Sequence, residues 1–252
     1  MRQLDQFWHQ ARPLAYGAAG SYVVPLAIQR LAGDVELVEI SSYRKRTLPA
    51  PEGRESHVYP TMRELCLEDF DKVGELAQVA PAPGLEFLLA QPLYIRNTIL
   101  GNYATVHHRQ DILDYASLAA EIGVLNSRSA ADFLAAKHFI PGGIELGIYP
   151  KSWLVENLSK VEIVGRHFLT RFGRRLEKYN RFQIRAVGFL GERLGSFLLL
   201  RHLDQTFSRN IPVEVFGHAT VMVGGDSKYT AGLADRPKGR SGSPGSRSGR
   251  VE

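Results

Sequence analysis

Residues 35–40 read Val-Glu-Leu-Val-Glu-Ile, and residues 41–49 read Ser-Ser-Tyr-Arg-Lys-Arg-Thr-Leu-Pro. The first stretch has period-two patterning and β-branched side chains, which predicts a strand. The second is polar and cationic and ends at Pro49, which predicts a loop straight after that strand. In open α/β sheets ligands bind beyond the carboxyl ends of strands. Tyr43, Arg44, Lys45 and Arg46 are therefore candidates for gripping a diphosphate, Arg with paired N–H donors and Lys as a compact charge. A charge run of this kind also serves simply as a solvated surface loop.

Upstream, residues 1–12 read as a short helix or a frayed end. Val24–Leu31 has Pro25 in a first turn and Gly33 as a stop, which predicts a helix. Downstream, residues 50–60 carry Pro51, Gly53 and Pro60 and read as a loop. Residues 61–79 suit a helix, with Thr61 as cap and Glu64 three residues on. Residues 85–90, Leu-Glu-Phe-Leu-Leu-Ala, have the length of a buried strand. Helical spacing dominates 98–122, a short helix begins near Ser129, and 138–151 hold a Gly-Gly turn and a strand-like run. One long helix or two fill 152–178, another covers Phe182–Leu203, and 213–223 alternate like a strand pair. From Gly224 onward Gly, Ser, Pro and Arg predict a disordered basic tail. The expected organisation is one helix-rich α/β domain over 1–223 and a tail over 224–252.

The totals limit the function classes. The 252 residues carry 44% hydrophobic and 23% charged side chains, ordinary globular values. No apolar run approaches a membrane span, and the N-terminus lacks the apolar core of a signal peptide. The single Cys66 allows no intrachain disulfide and fits a reducing, cytoplasmic compartment. Much of the net charge of +5 sits after Asp226. Walker A, GxGxxG, CxxC, HExxH and GxSxG motifs are absent, as are zinc-finger and RRM signatures. No specific nucleic-acid partner is expected.

Three further constellations carry possible chemistry. His107-His108-Arg109-Gln110-Asp111 precedes an amphipathic helix, where histidines serve as base, metal ligand or donor to sugar hydroxyls and Asp111 can cap the helix. Glu145 follows Gly142-Gly143, a backbone bend before a strand, and is either an acid–base group or an edge-strand residue facing water. Arg185, Glu192 and Arg193 lie in an otherwise apolar helix and must be ion-paired or belong to a site. Asp69-Phe70-Asp71 looks like a DxD metal motif but falls in the predicted 61–79 helix, so no metal ligand is assigned.

Taken in order, these segments resemble a bacterial family of uncharacterised-domain glycosyltransferases from capsule, exopolysaccharide and lipopolysaccharide clusters. ELVEISSYRKRTL stands where that family has a strand ending in a His-Tyr-Arg-Arg-Tyr-like motif. LEFLLAQPLYI followed by YATVHHRQDI, with Tyr103, His107, His108 and Asp111, matches its next strand and helix start. ELGIYPKSW takes the place of its third strand, with Glu145 nearest to the family's Asn. RAVGFLGERL (185–194) fits its last helix closely. Ser42 replaces the family's His, and the family's first strand has no counterpart upstream of Gly17.

The resemblance implies a GT-A-like mixed sheet flanked by helices. It also implies transfer of a sugar from a nucleotide-diphosphate donor to a glycan or lipid-linked acceptor, at the inner face of a membrane. On it, Glu145 is the base, Arg44, Lys45 and Arg46 meet the diphosphate, and Tyr103, His107, His108 and Asp111 shape the sugar pocket. Glu192 and Arg193 fix donor or sheet geometry, and Arg185 is a further substrate-binding candidate. The leaving group's charge is offset either by the cations or by a divalent Mg or Mn ion. Two other functions fit the bare sequence: a non-enzymatic scaffold of an envelope or secretion system, and a nucleic-acid-associated protein using the basic tail.

Overall fold

A computed structural model describes residues 1–31, 33–42, 44–56, 61–66 and 79–224. Its helices are α1 (Gln6–Ala15), α2 (Gly17–Ser21), α3 (Val24–Leu31), α4 (Ile99–Ala104), α5 (Arg109–Glu121), α6 (Ser127–Ala135), α7 (Lys151–Leu176) and α8 (Ala186–Thr206). Its strands are β1 (Leu37–Ile40), β2 (Lys45–Leu48), β3 (Arg54–Glu55), β4 (Met62–Cys66), β5 (Leu88–Ala90), β6 (Leu93–Tyr94), β7 (His138–Phe139), β8 (Gly147–Pro150) and β9 (Phe216–Val223). The expected mixed α/β architecture, a central mixed sheet flanked by helices, is what these elements build.

The sheet order is β1-β8-β5-β9-β4-β3, with β2 also on β9 and a separate β6-β7 pair. β4 and β5 run parallel to β9, while β2 runs antiparallel to it. β2 and β4 both pair residues 219–221 of β9, so they occupy its opposite edges. β9 is the strand that ties both halves of the sheet together.

Register places the loops. Ile40 pairs with Gly147, which also pairs with Leu89, and Leu89 pairs with Phe216. The carboxyl ends of β1, β4, β5 and β9 thus share one end of the sheet with the entries to β2 and β8. Ser41, Ser42, Arg44, Lys45 and the 141–146 turn lie there. α7 starts at the other end, where Trp153 meets Phe87 with ring centres 5.5 Å apart. Its middle reaches Tyr22, which lies beside Gly165. The 26 residues of α7 span roughly 39 Å against roughly 13 Å for a four-residue strand. Its last turns, and the start of α8, therefore project past the carboxyl end of the sheet.

Several expectations are corrected. Residues 62–66 form a strand, not a helix start: Met62, Glu64 and Leu65 are buried, and parallel pairing to β9 outweighs the capping-box pattern. The Glu64 carboxylate, 2% exposed, accepts from Ser56 Oγ (3.1 Å) and Arg54 Nε (3.2 Å) instead of capping. Residues 67–78, including the Asp69–Asp71 motif, lie outside the described residues. The cationic loop closes into β2, because Thr47 and Leu48 are buried against β9. Residues 213–223 form a 3-10 turn and one strand, not a pair. The stretch 98–122 divides at 105–108 into α4, capped by Thr98 Oγ1 accepting from Gly101 N, and α5. α6 starts at Ser127, two residues before the expected start at Ser129, and Asn126 caps it. α7 is one helix. Residues 225–252 lie outside the described residues.

Candidate functional site

Gly142 and Gly143 both adopt positive φ, 84° and 57°. A Cβ on Gly143 would sit 2.4 Å from the Glu192 carbonyl oxygen, so only glycine lets this turn touch α8. Gly142 N donates to Glu192 Oε1 at 2.8 Å, fastening the turn to the helix. The turn leaves Glu145 half-buried, just before a strand that lies between β1 and β5. It is not the edge-strand glutamate facing water that the sequence allows.

Ser21, the last residue of α2, donates its hydroxyl to Glu145 Oε2 at 2.9 Å. Burial pushes the Glu145 carboxyl up to about 7, and the Glu192 charge adds to the rise while the Ser21 bond opposes it. Beneath it stand two phenols. Tyr22 occupies space left by Gly165 and Gly191, and its hydroxyl donates to Val187 O at 3.2 Å. Tyr115 donates to Val161 O at 3.5 Å. Burial holds both phenols well above their ordinary range, so they stay protonated. Glu145 is thus a carboxyl poised to exchange a proton near neutral pH, held by a local donor.

A second cluster gathers the histidines. His107 is buried and stacks on Tyr103 (4.6 Å) and Phe182 (5.0 Å), and it also meets Phe189 (4.5 Å). Arg193 donates to Phe189 O (2.9 Å) and to Asn102 Oδ1 (3.2 Å), and its guanidinium lies over the Tyr103 ring at 5.1 Å. His108 is exposed, stacks on Tyr179 at 4.1 Å and lies 3.0 Å from Gln183 Oε1.

Asp111 is 1% exposed and does not cap α5. Its Oδ1 accepts from Arg175 (2.7 Å) and from the Tyr179 hydroxyl (3.0 Å). Burial raises its carboxyl above the usual range, and those two partners oppose the rise. Tertiary pairing with α7 has replaced the local capping role.

α8 joins the clusters. Arg185, Phe189 and Glu192 follow each other at helical spacing, so one face carries all three. Phe189 touches His107, and Glu192 touches the Gly142 turn. Arg185 lies over the Phe189 ring (5.3 Å) and the Tyr16 ring (5.9 Å) rather than pairing with Glu192. The ion pair expected within 185–193 is not what holds these residues.

The cationic segment stands apart. Arg46 makes a two-point bond to Glu39 at 2.5 and 2.7 Å. The Arg44 carbonyl accepts from Met222 N, and Lys45 pairs with Val221. These residues share the carboxyl end of the sheet with Glu145, whose own hydrogen bond comes from Ser21. Tyr43 lies outside the described residues. Sequence reasoning missed Ser21, Tyr22, Tyr115, Arg175 and Tyr179. The one available signal was the glycine-rich Gly17–Gly20 run before Ser21.

Among the described residues no group of three or more His, Cys, Asp or Glu side chains could hold a metal ion. Asp69 and Asp71 lie outside those residues, and no chemical step is assigned to a divalent ion. A hollow of about 520 Å³, lined by Leu125, Asn126, Ser129 and Arg201 among others, shares no residue with either cluster.

No known family's sequence profile matches the chain, and no curated protein does. Among solved structures, the apo form of WbbM, described as a bifunctional glycosyltransferase, matches with a TM-score of 0.62 at 12% identity. The match covers 84% of this chain and 37% of that one, so the chain spans well under half of its structural neighbour. The fold is thus similar to that of part of a glycosyltransferase.

Proposed function

We propose that this chain is a glycosyltransferase that moves a sugar from a nucleotide-diphosphate sugar to a hydroxyl of a glycan or lipid-linked acceptor. The observation that carries this reading is Glu145: a half-buried carboxyl, bonded to Ser21, at the carboxyl end of a sheet whose fold is similar to part of a glycosyltransferase. The Glu145 carboxylate takes the proton of the acceptor hydroxyl. The acceptor oxygen then bonds to the anomeric carbon, and the bond from that carbon to the diphosphate breaks. The electron pair leaves with the nucleoside diphosphate.

Negative charge grows on that leaving group, and nearby fixed cations lower its cost. Arg44 and Lys45 at the start of β2, and Arg185 at the start of α8, are the candidate cations at this end of the sheet. Arg46 serves by fixing β2 to Glu39. His108 is the exposed member of the histidine cluster, from which sugar hydroxyls are oriented; Tyr103, His107 and Asp111 are buried and hold that wall in place, and Glu192 and Arg193 hold α8 in register with it.

The test is a thermal-shift screen against nucleotide sugars, with and without Mg or Mn, followed by a transfer assay with the best donor. A ligand that binds only the folded chain raises its melting temperature, by roughly 5–10 °C at a hundredfold excess over Kd. Stabilisation by one donor and transfer lost in Glu145→Gln support the reading. A flat screen across all donors sinks it.

A further inference from the structure

We propose that the end of the α7–α8 hairpin is a docking surface for an anionic phospholipid bilayer, formed by Arg109, Arg174, Lys178, Arg181 and Arg185. Residues 166–185 hold seven Lys/Arg and one acid, Glu177, a local excess one charge greater than the +5 of the whole chain. Three of these cations are held in ion pairs. Arg166 pairs with Asp5 and Glu162, Arg171 with Glu121, and Arg175 with Asp111 and Asp114. Those pairs hold Asp5, Glu162, Glu121, Asp111 and Asp114, and leave Glu177 as the acid among the exposed cations. Arg109, Arg174, Lys178, Arg181 and Arg185 are all exposed, and among the described residues none of them is in an ion pair.

The fold gathers the five on one end of the molecule. His108 stacks on Tyr179 and reaches Gln183, which fixes Arg109, the next residue, beside the 177–185 connection. Asn180 Oδ1 accepts from the backbone N–H groups of Phe182 and Gln183, so the connection is a formed turn. Arg185 lies over Tyr16, itself 43% exposed. This end projects past the carboxyl end of the sheet, the end that carries Glu145.

The composition favours a bilayer over a single-stranded nucleic acid. Non-specific binding of a single strand needs open aromatic faces on which bases stack. Here Tyr103, His107 and Phe182 are buried and Tyr179 is covered by His108. Among the described residues Tyr16 is the exposed tyrosine at this end, and an exposed tyrosine among cations is the composition of a water–lipid boundary. Each Lys or Arg near an anionic leaflet strengthens binding about fivefold. Docking itself does not depend on the proposed transfer. That it delivers a lipid-linked acceptor to Glu145 does rest on that reading.

Vesicle sedimentation tests it with the full chain, using phosphatidylglycerol–phosphatidylcholine vesicles against pure phosphatidylcholine at low and high salt. The expected result is binding to the anionic vesicles alone, weakened by salt. The combined variant Arg174→Glu, Lys178→Glu, Arg181→Glu should lose affinity on the order of a hundredfold or more. A control of identical charge change, Arg236→Glu, Lys238→Glu, Arg240→Glu, should lose much less. Neutral replacement of the same three face residues by Gln should show an intermediate loss with an unchanged melting temperature. Equal losses in the two charge-reversed variants overturn the proposal, as does absence of binding to anionic vesicles. Tighter binding to single-stranded RNA, abolished by the face variant, also overturns it. The nucleotide-sugar melting shift is measured without lipid, so a failure here leaves the transferase reading standing or falling on its own test.

Discussion

The Ser21 hydroxyl and the Glu145 carboxylate meet at 2.9 Å across 124 residues of chain. The bond favours the charged carboxylate, while burial and Glu192 favour the neutral acid. Replacing Ser21 with Ala removes the one influence that lowers this carboxyl. The acid limb of the pH profile for transfer should move to higher pH. Activity should fall roughly three- to tenfold at pH 6 and little at pH 8.5. Profiles of kcat/KM for both proteins check this, and superimposable acid limbs would count against Ser21 as a positioning residue.

Glu145 itself ties activity to stability with opposite signs. The folded chain holds its proton up to about pH 7, whereas an ordinary glutamate loses it near 4.5. The resulting stabilisation is fully present below pH 4.5 and is lost as pH rises through 7, because charge must then be buried. Glu145→Gln should therefore leave the melting temperature nearly unchanged at pH 5. At pH 8 it should add about 1–3 kcal/mol of stability. Transfer should drop by about two to four orders of magnitude with nucleotide binding retained. Melting curves at the two pH values separate the effects, and equal stability differences at both would contradict a raised Glu145.

Tyr22 reaches the bundle interior because two helices present glycine to it. A Cβ on Gly191 would lie 2.2 Å from the Tyr22 hydroxyl oxygen. Gly191→Ala should cost about 1–3 kcal/mol by overpacking. Tyr22→Phe deletes the colliding atom, so the double variant should be more stable than the sum of the single losses implies. Urea unfolding of the four proteins measures that coupling, and strict additivity would mean the clash is relieved elsewhere.

Asp111 is the buried partner of a half-exposed arginine. Asp111→Ala strands the Tyr179 hydroxyl and one arm of Arg175, although Asp114 still holds the other arm at 2.7 Å. The expected loss is about 2–3 kcal/mol, below that of a fully buried pair because Arg175 keeps Asp114 and some contact with water. Asp111→Asn keeps an acceptor for Tyr179 and should lose about half as much. Equilibrium denaturation distinguishes the two, and an unaffected Asp111→Ala protein would show that the cluster carries no folding energy.

The sequence predicted a good part of this arrangement. Val24–Leu31 is a helix with the bounds expected, and β1 occupies the last four of the six residues read as a strand. The Gly142-Gly143 bend and the apolar helix that carries Glu192 are also where the sequence put them, and the helical stretch after residue 150, read as one helix or two, is one. Each is encoded by residues adjacent in the chain, through side-chain period, a cap or a glycine.

What escaped is of another kind. Residues 62–66 contain a good local helix signal and still pair as a strand, because an open edge of β9 satisfies their backbone and buries Met62 and Leu65. Asp111 abandons a helix cap for Arg175, 64 residues away. Local pattern alone determined helices such as α3 and α8, the strand β1 and the glycine turn of this protein. The company kept by Glu145, Asp111 and the cations was decided only by tertiary structure, since burial and electrostatic pairing depend on which distant segments the sheet register and helix packing bring within 3 Å.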